Sequence, residues 1–128
     1  MARRKSIYIE GLGHTNPIPA ASRIGSWLIS SGIPGKDPST GELPADLDAQ
    51  CANMFELMRR VIERAGGSPD DILKVEVRMA DPAQRGTVNS HWLKMFPDPE
   101  SRPARHTSRE QLDGGQLVQC DFIAVLPD

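Results

Sequence analysis

Apolar residues recur in this chain with two periods, and the places where the period changes mark its elements. In "KSIYIE", Ile7 and Ile9 alternate with polar neighbours and predict a first strand. It ends where "GLGHTNPIP" places two glycines and two prolines. "SRIGSWLISSG" predicts two extended pieces folded back around Gly25 and Ser26, with Ile24, Trp27, Leu28 and Ile29 supplying burial. The turn formers of "IPGKDPSTGELP" predict a loop. From Leu47 to Ala65 the step lengthens: Leu47, Cys51, Met54, Met58, Val61, Ile62 and Ala65 line one face of a helix. Asp46 can cap that helix, and Gly66 and Gly67 can stop it. Ser68 and Pro69, with Asp70 and Asp71, read as a further short helical start.

The two-residue period returns in "ILKVEVRMAD". There Leu73, Val75, Val77 and Met79 alternate with Lys74, Glu76 and Arg78, as in a strand with one wet face. Val88, Trp92, Leu93 and Phe96 then fall at helical spacing, and Pro97 and Pro99 close that helix. Two strands follow, "PARHTSRE" and "QLVQCDFIAV", on either side of the turn former Asp113-Gly114-Gly115. The order β-β-β-α-β-α-β-β predicts an α+β domain with two amphipathic helices on one face of a sheet. The other face keeps the apolar side chains of "SWLISSG", so self-association is expected.

Length and composition bound the rest. A chain of 128 residues buries enough surface to fold as one domain, residues 1–128, without staples. With 38% hydrophobic and 25% charged residues, neither disorder nor a membrane span is indicated. The formal net charge of -2 gives no electrostatic reason to expect nucleic acid. No signal-like apolar run follows "MARRK", which places the protein in the cytoplasm as an expectation. Cys51 and Cys120 stand in apolar-rich segments and read as buried, reduced thiols. His14, His91, His106 and the two cysteines form no close ligand pair, so no metal is expected. "GLGH" lacks the rest of a dinucleotide fingerprint, and no Walker loop or nucleophile elbow is present, so no cofactor is expected.

In "PARHTS", alternation puts Arg105 and Thr107 on one face and Ala104 and His106 on the other. Arg105 either pairs with a structural acid such as Glu76 or Asp121, or turns its planar fork of donors toward a bound carboxylate or phosphate. The last strand divides likewise: Val118, Cys120, Phe122 and Ala124 read as core, and Leu117, Gln119, Asp121 and Ile123 face the other way. Gln119 and Asp121 there are compatible with exposure, a subunit contact or a water-holding site. His14 sits in an irregular loop, where functional and inert histidines both occur. His91 reads as a surface residue of the second helix. Arg102, Arg105 and Arg109 cluster without interleaved aromatics, a poor match to a single-strand binding surface.

The strings "SSGIPGKDPSTGELP", "GGSPDDILKVEV", "TVNSHWLKMFPD", "RPAR" and "QCDFIAV", in this order and spacing, resemble the RidA/YjgF family of reactive-intermediate deaminases from about Asn16 to Val125. The resemblance implies a chorismate-mutase-like α+β fold, with a mixed six-stranded sheet and two helices on one face. It also implies a homotrimer whose sheets form a central barrel, with ligand clefts between subunits. Arg105 matches the arginine that clamps the substrate carboxylate. Gly32, after Ser31, matches a position whose backbone approaches the ligand, and Asn89 matches an asparagine near the cleft.

Three positions depart from the family pattern. Ile18 stands where a tyrosine is usual, Thr107 where cysteine or serine is common, and Gln119 where a glutamate orients the attacking water. An amide can orient water but cannot serve as a carboxylate base. Asp121, with the same facing, and His14, if its loop folds over the cleft, are candidates for that role. The resemblance implies hydrolysis of a small carboxylate-bearing enamine or imine to a keto acid and ammonia. With Gln119 present, the expected substrate differs from simple 2-aminoacrylate. The alternatives are a trimer that binds small acids without turnover and, with least support from the charge balance, a ribonuclease.

Overall fold

The computed structural model describes residues 2–12 and 16–127. Its strands are β1 (Lys5–Ile7), β2 (Ala21–Ile24), β3 (Trp27–Ser30), β4 (Ile33–Pro34), β5 (Ile72–Met79), β6 (Ala104–Arg109) and β7 (Val118–Val125). Its helices are α1 (Leu47–Arg64) and α2 (Arg85–Met95), and single 3-10 turns at Pro69–Asp71 and Pro82–Gln84 precede β5 and α2. The strands join in one mixed sheet of order β1-β2-β3-β7-β5-β6, with β4 also paired to β7. The fold is therefore α+β, as the periodicity predicts. The sheet has seven strands rather than the expected six. Two residues, one of them a proline without an amide donor, leave no periodic trace in sequence. Ile33 and Pro34 nevertheless pair with Cys120 and Gln119.

The last two strands are not neighbours. β5 lies between them, antiparallel to β7 and parallel to β6. A parallel pair needs a crossover, which α2 supplies. The turn at Gly114 and Gly115, both at positive φ, thus ends a longer connection and closes no hairpin. Gly25, at φ 58°, does close the hairpin expected between β2 and β3.

One face of the sheet is sealed. Cys51, Met54, Met58, Val61 and Ile62 of α1 join Val75, Val77, Cys120 and Phe122 in a single buried cluster. Asp46 caps α1 by accepting from the Ala49 amide at 3.0 Å. Two apolar positions depart from the periodic reading. Leu73 is exposed because β5 bulges between Ile72 and Lys74, which puts Ile72 into the core instead. Leu93 points to solvent, and Val88, Trp92 and Phe96 are the residues of this segment that are buried.

The other sheet face carries no helix. Trp27 and Ile29 are 57% and 55% exposed there, in register with Val125 and Ile123 across the β3–β7 pairing. Among the described residues, no helix is long and apolar enough to cross a membrane.

One buried polar residue pins the loops to α1. The Gln50 side chain is fully buried, donates to the carbonyls of Pro44 at 2.8 Å and Gly115 at 3.2 Å, and accepts from the Leu117 amide at 2.8 Å. Leucine here fits the volume but leaves an amide and two carbonyls without their partner. Gln50→Leu is expected to cost about 3 kcal/mol, read as a lower urea midpoint with an unchanged slope.

Candidate functional site

Strand β6 presents Arg105 and Thr107 on the helix-covered side, because Arg105 is in register with Val75 and Thr107 with Val77, both core residues. The sheet edge there lies beneath α2. The Arg105 Nη2 donates to Asn89 Oδ1 at 2.6 Å, and its guanidinium carbon lies 5.0 Å from the centroid of the Trp92 ring. Asn89 and Trp92 are three positions apart on α2, so one helix face supplies both contacts.

No carboxylate pairs with Arg105 among the described residues. Both candidate acids are engaged elsewhere: Asp121 with Arg78 at 2.8 Å, and Glu76 with Lys74 at 3.1 Å and His106 at 3.4 Å. The structural-pairing alternative is thereby overturned. Burial, and secondarily the like charge of Arg85, holds the Arg105 pKa below its ordinary value. A half-buried guanidinium compensated, among the described residues, by an amide oxygen and a ring face is short of negative charge. On the same strand face, Thr107 Oγ1 is buried without a hydrogen-bond partner among the described residues. An anion arriving at this edge would supply the charge that the Arg105 guanidinium lacks.

Gln119 and Asp121 belong to the open face, opposite Arg78 and Glu76 in the β5–β7 register. Arg78 Nε donates to Gln119 Oε1 at 3.2 Å, and Gln119 Nε2 donates weakly to Gln116 Oε1 at 3.4 Å. Because a guanidinium only donates, the amide must turn its oxygen to Arg78. The Gly32 backbone lies against this amide: a Cβ there would stand 3.3 Å from Gln119 Cδ and Nε2. Ser31 donates to the Pro19 carbonyl at 2.8 Å and so ties the segment holding exposed Ile18 to Gly32. His14 lies outside the described residues.

The candidates therefore form two groups. Arg105, Thr107 and Asn89 stand under α2; Gln119, Asp121, Gly32, Ser31 and Ile18 stand toward the other face. A single chain does not bring the groups together. Nor does the groove of about 540 Å³ between the starts of the two helices, lined by Asp46, Asp48, Gln84 and Thr87, include Arg105.

Sequence reasoning missed three contributors, Trp92 as the ring beneath Arg105, Arg78 as the partner of both Gln119 and Asp121, and Arg85. Arg78 was visible as a cation on the wet face of β5, but its partners depend on strand register. His91 is also corrected. Its side chain is only 12% exposed, is 2.9 Å from Asp48 and stacks on Phe55, so it braces the two helices. Cys51 and Cys120 are buried and free. Burial pushes the Cys51 thiol up to about 12 and raises that of Cys120 further, so neither offers a thiolate near neutral pH.

Such a sheet, with an arginine on its edge strand that meets no acid among the described residues, defines a class of small α+β protein that other sequences share. A family model described as endoribonuclease L-PSP matches residues 12–126. The chain belongs to that family, which is the RidA/YjgF family. A "RutC family protein" of Pasteurella multocida is 33% identical over 124 residues, covering 88% of this chain and 95% of that one. A 2-iminobutanoate/2-iminopropanoate deaminase of Escherichia coli is 34% identical over 83 residues, 64% of this chain and 65% of the enzyme. Among solved structures, the Escherichia coli YjgF gene product superposes with a TM-score of 0.86 at 29% identity, covering 94% of this chain and 98% of that one. Escherichia coli TdcF with bound serine gives 0.88 at 27% identity, covering 96% and 99%. The family thus includes proteins named as imine deaminases.

Proposed function

We propose that this protein hydrolyses a small enamine or imine that carries a carboxylate, releasing a keto acid and ammonia. The observation that carries the reading is Arg105: half-buried, fixed by Asn89 and Trp92, and without a carboxylate partner among the described residues. Its two-point fork suits a substrate carboxylate, and Thr107 offers a hydroxyl on the same strand face. The deaminase relative named above and the serine bound to TdcF are small carboxylate chemistry of this kind.

The reaction asks little of the protein. Water adds to the electrophilic imine carbon, the nitrogen takes up a proton, and the resulting carbinolamine expels ammonia as the carbonyl forms. Holding the acid and placing one water supplies much of the gain. Gln119 can orient that water but cannot accept its proton, so turnover of the simplest imines is slow.

Arg105 and Gln119 stand on different sides of one sheet, so a complete cleft requires a second copy of the chain. We place it between subunits of a homotrimer that buries the open face holding Trp27 and Ile29, both more than half exposed. The net charge of -2 gives no support to an RNA substrate.

The test is keto-acid release from imino acids generated in the assay by an amino-acid oxidase, with sedimentation in parallel. Acceleration over buffer by a species of three chain masses is expected. A monomer that leaves the buffer rate unchanged contradicts the proposal, while tight keto-acid binding by a trimer without acceleration selects a binding protein instead.

A further inference from the structure

Arg85 opens α2, and the series Arg85, Asn89, Trp92 runs down the helix at steps of four and three, which places all three on one face. Arg105 touches the second and third members of this series, at Asn89 Oδ1 and the Trp92 ring. Arg85 therefore lies one turn further along the same edge, an axial rise of about 6 Å. Its Nε donates to the Pro82 carbonyl at 2.9 Å, which anchors the stem of the side chain. Its terminal nitrogens have no acceptor among the described residues, and no carboxylate pairs with it there.

The neighbouring cations differ. Arg102 is occupied by the carbonyls of Phe96 at 2.9 Å and Pro97 at 3.2 Å, and Arg109 lies toward Asp81 and the Ala80 carbonyl. Arg85 and Arg105 are left as two guanidiniums along one seam, neither paired with an acid among the described residues. After burial, the like charge of Arg85 is the second cause that lowers the Arg105 pKa. Like charges held this way raise the energy of the empty site and favour an occupant that neutralises both.

We infer that Arg85 is the second arm of the anion site, and that the ligand is a short diacid whose α-carboxylate meets Arg105 and whose distal carboxylate meets Arg85. The matching substrate class is the α-imino or α-keto diacid of four or five carbons, whose two carboxylates are separated by about one helical turn. This assignment rests on the proposal that Arg105 grips a carboxylate, and it adds a choice among carboxylates. Asn89 then has two tasks: it fixes Arg105 and marks the midpoint of the ligand's path along α2.

Calorimetric titration of the full chain with 2-oxoglutarate and with 2-oxopentanoate separates the two claims, since the acids share a chain length and differ in the distal charge. The native protein is expected to bind the diacid at least about tenfold more tightly, the value of one added charge-assisted hydrogen bond. Arg85→Met is expected to bring the two affinities within about twofold of each other, by weakening the diacid far more than 2-oxopentanoate, and Arg85→Lys to fall between. Arg60→Met, a cation of α1 engaged with Glu56, controls for general charge and should leave the native preference intact. Equal affinities in the native protein, or a preference that survives Arg85→Met, would overturn the diacid assignment alone. Binding of the monoacid that is indifferent to Arg105→Met, or no binding of either acid, would overturn the carboxylate reading beneath it as well.

Discussion

Arg105→Met lowers kcat/KM for keto-acid release from a carboxylate-bearing imine by about two to three orders of magnitude, the equivalent of two charge-assisted hydrogen bonds. The loss should fall on both parameters. KM rises because the carboxylate is no longer held, and kcat falls because the imine carbon no longer stands at a fixed distance from the water. Methionine is the informative replacement. It keeps an unbranched stem and a polarizable end against the Trp92 ring, so the edge of the sheet retains its packing. Relief of a half-buried charge that meets no acid among the described residues offsets the lost bond to Asn89. Thermal unfolding within a few degrees of the native protein, alongside the kinetic loss, separates a binding defect from a folding one. A variant that retains native kcat/KM would remove Arg105 from the site.

Gln119→Glu is expected to raise the deamination rate by about tenfold, short of the roughly hundredfold at which general-base contributions begin. The new carboxylate can accept from Arg78 Nε as the amide oxygen does now, so its position changes little. Its basicity, however, is blunted by the same guanidinium, which also holds Asp121. Adding Arg78→Met should release that restraint and bring the gain to about a hundredfold. The coupling is measurable as a double-mutant cycle on kcat. Rates that do not respond to either change would mean that Gln119 does not face the reacting water.

Much of this is legible in the sequence. The three- and four-residue spacing from Leu47 to Ala65 forecasts α1 and its buried face, and the alternation from Val118 to Ala124 forecasts which side of β7 is core. Those patterns are local, and burial enforces them. What the chain hides is decided between distant segments. β4 is too short to have a period and exists because β7 offers it partners at Gln119 and Cys120. The exchange of β5 for β7 as the neighbour of β6 follows from a right-sized crossover, and no turn sequence reports it. That Arg105 does not pair with Asp121 could not be read from spacing, since it depends on Asp121 facing Arg78 across another strand pair. Even the bulge at Leu73, which reverses the facing of one residue in a regular alternation, is set by the register against Ala124 and Ile123.

The most direct measurement is a crystal structure of the protein grown with a small keto acid such as 2-oxobutanoate. The account predicts the acid's carboxylate lying in plane with the Arg105 guanidinium at about 2.8 Å, with Asn89 and Thr107 flanking it and Gln119 of a neighbouring copy facing its carbonyl carbon. A guanidinium still held only by Asn89 and Trp92 in crystals whose acid is bound elsewhere would contradict it.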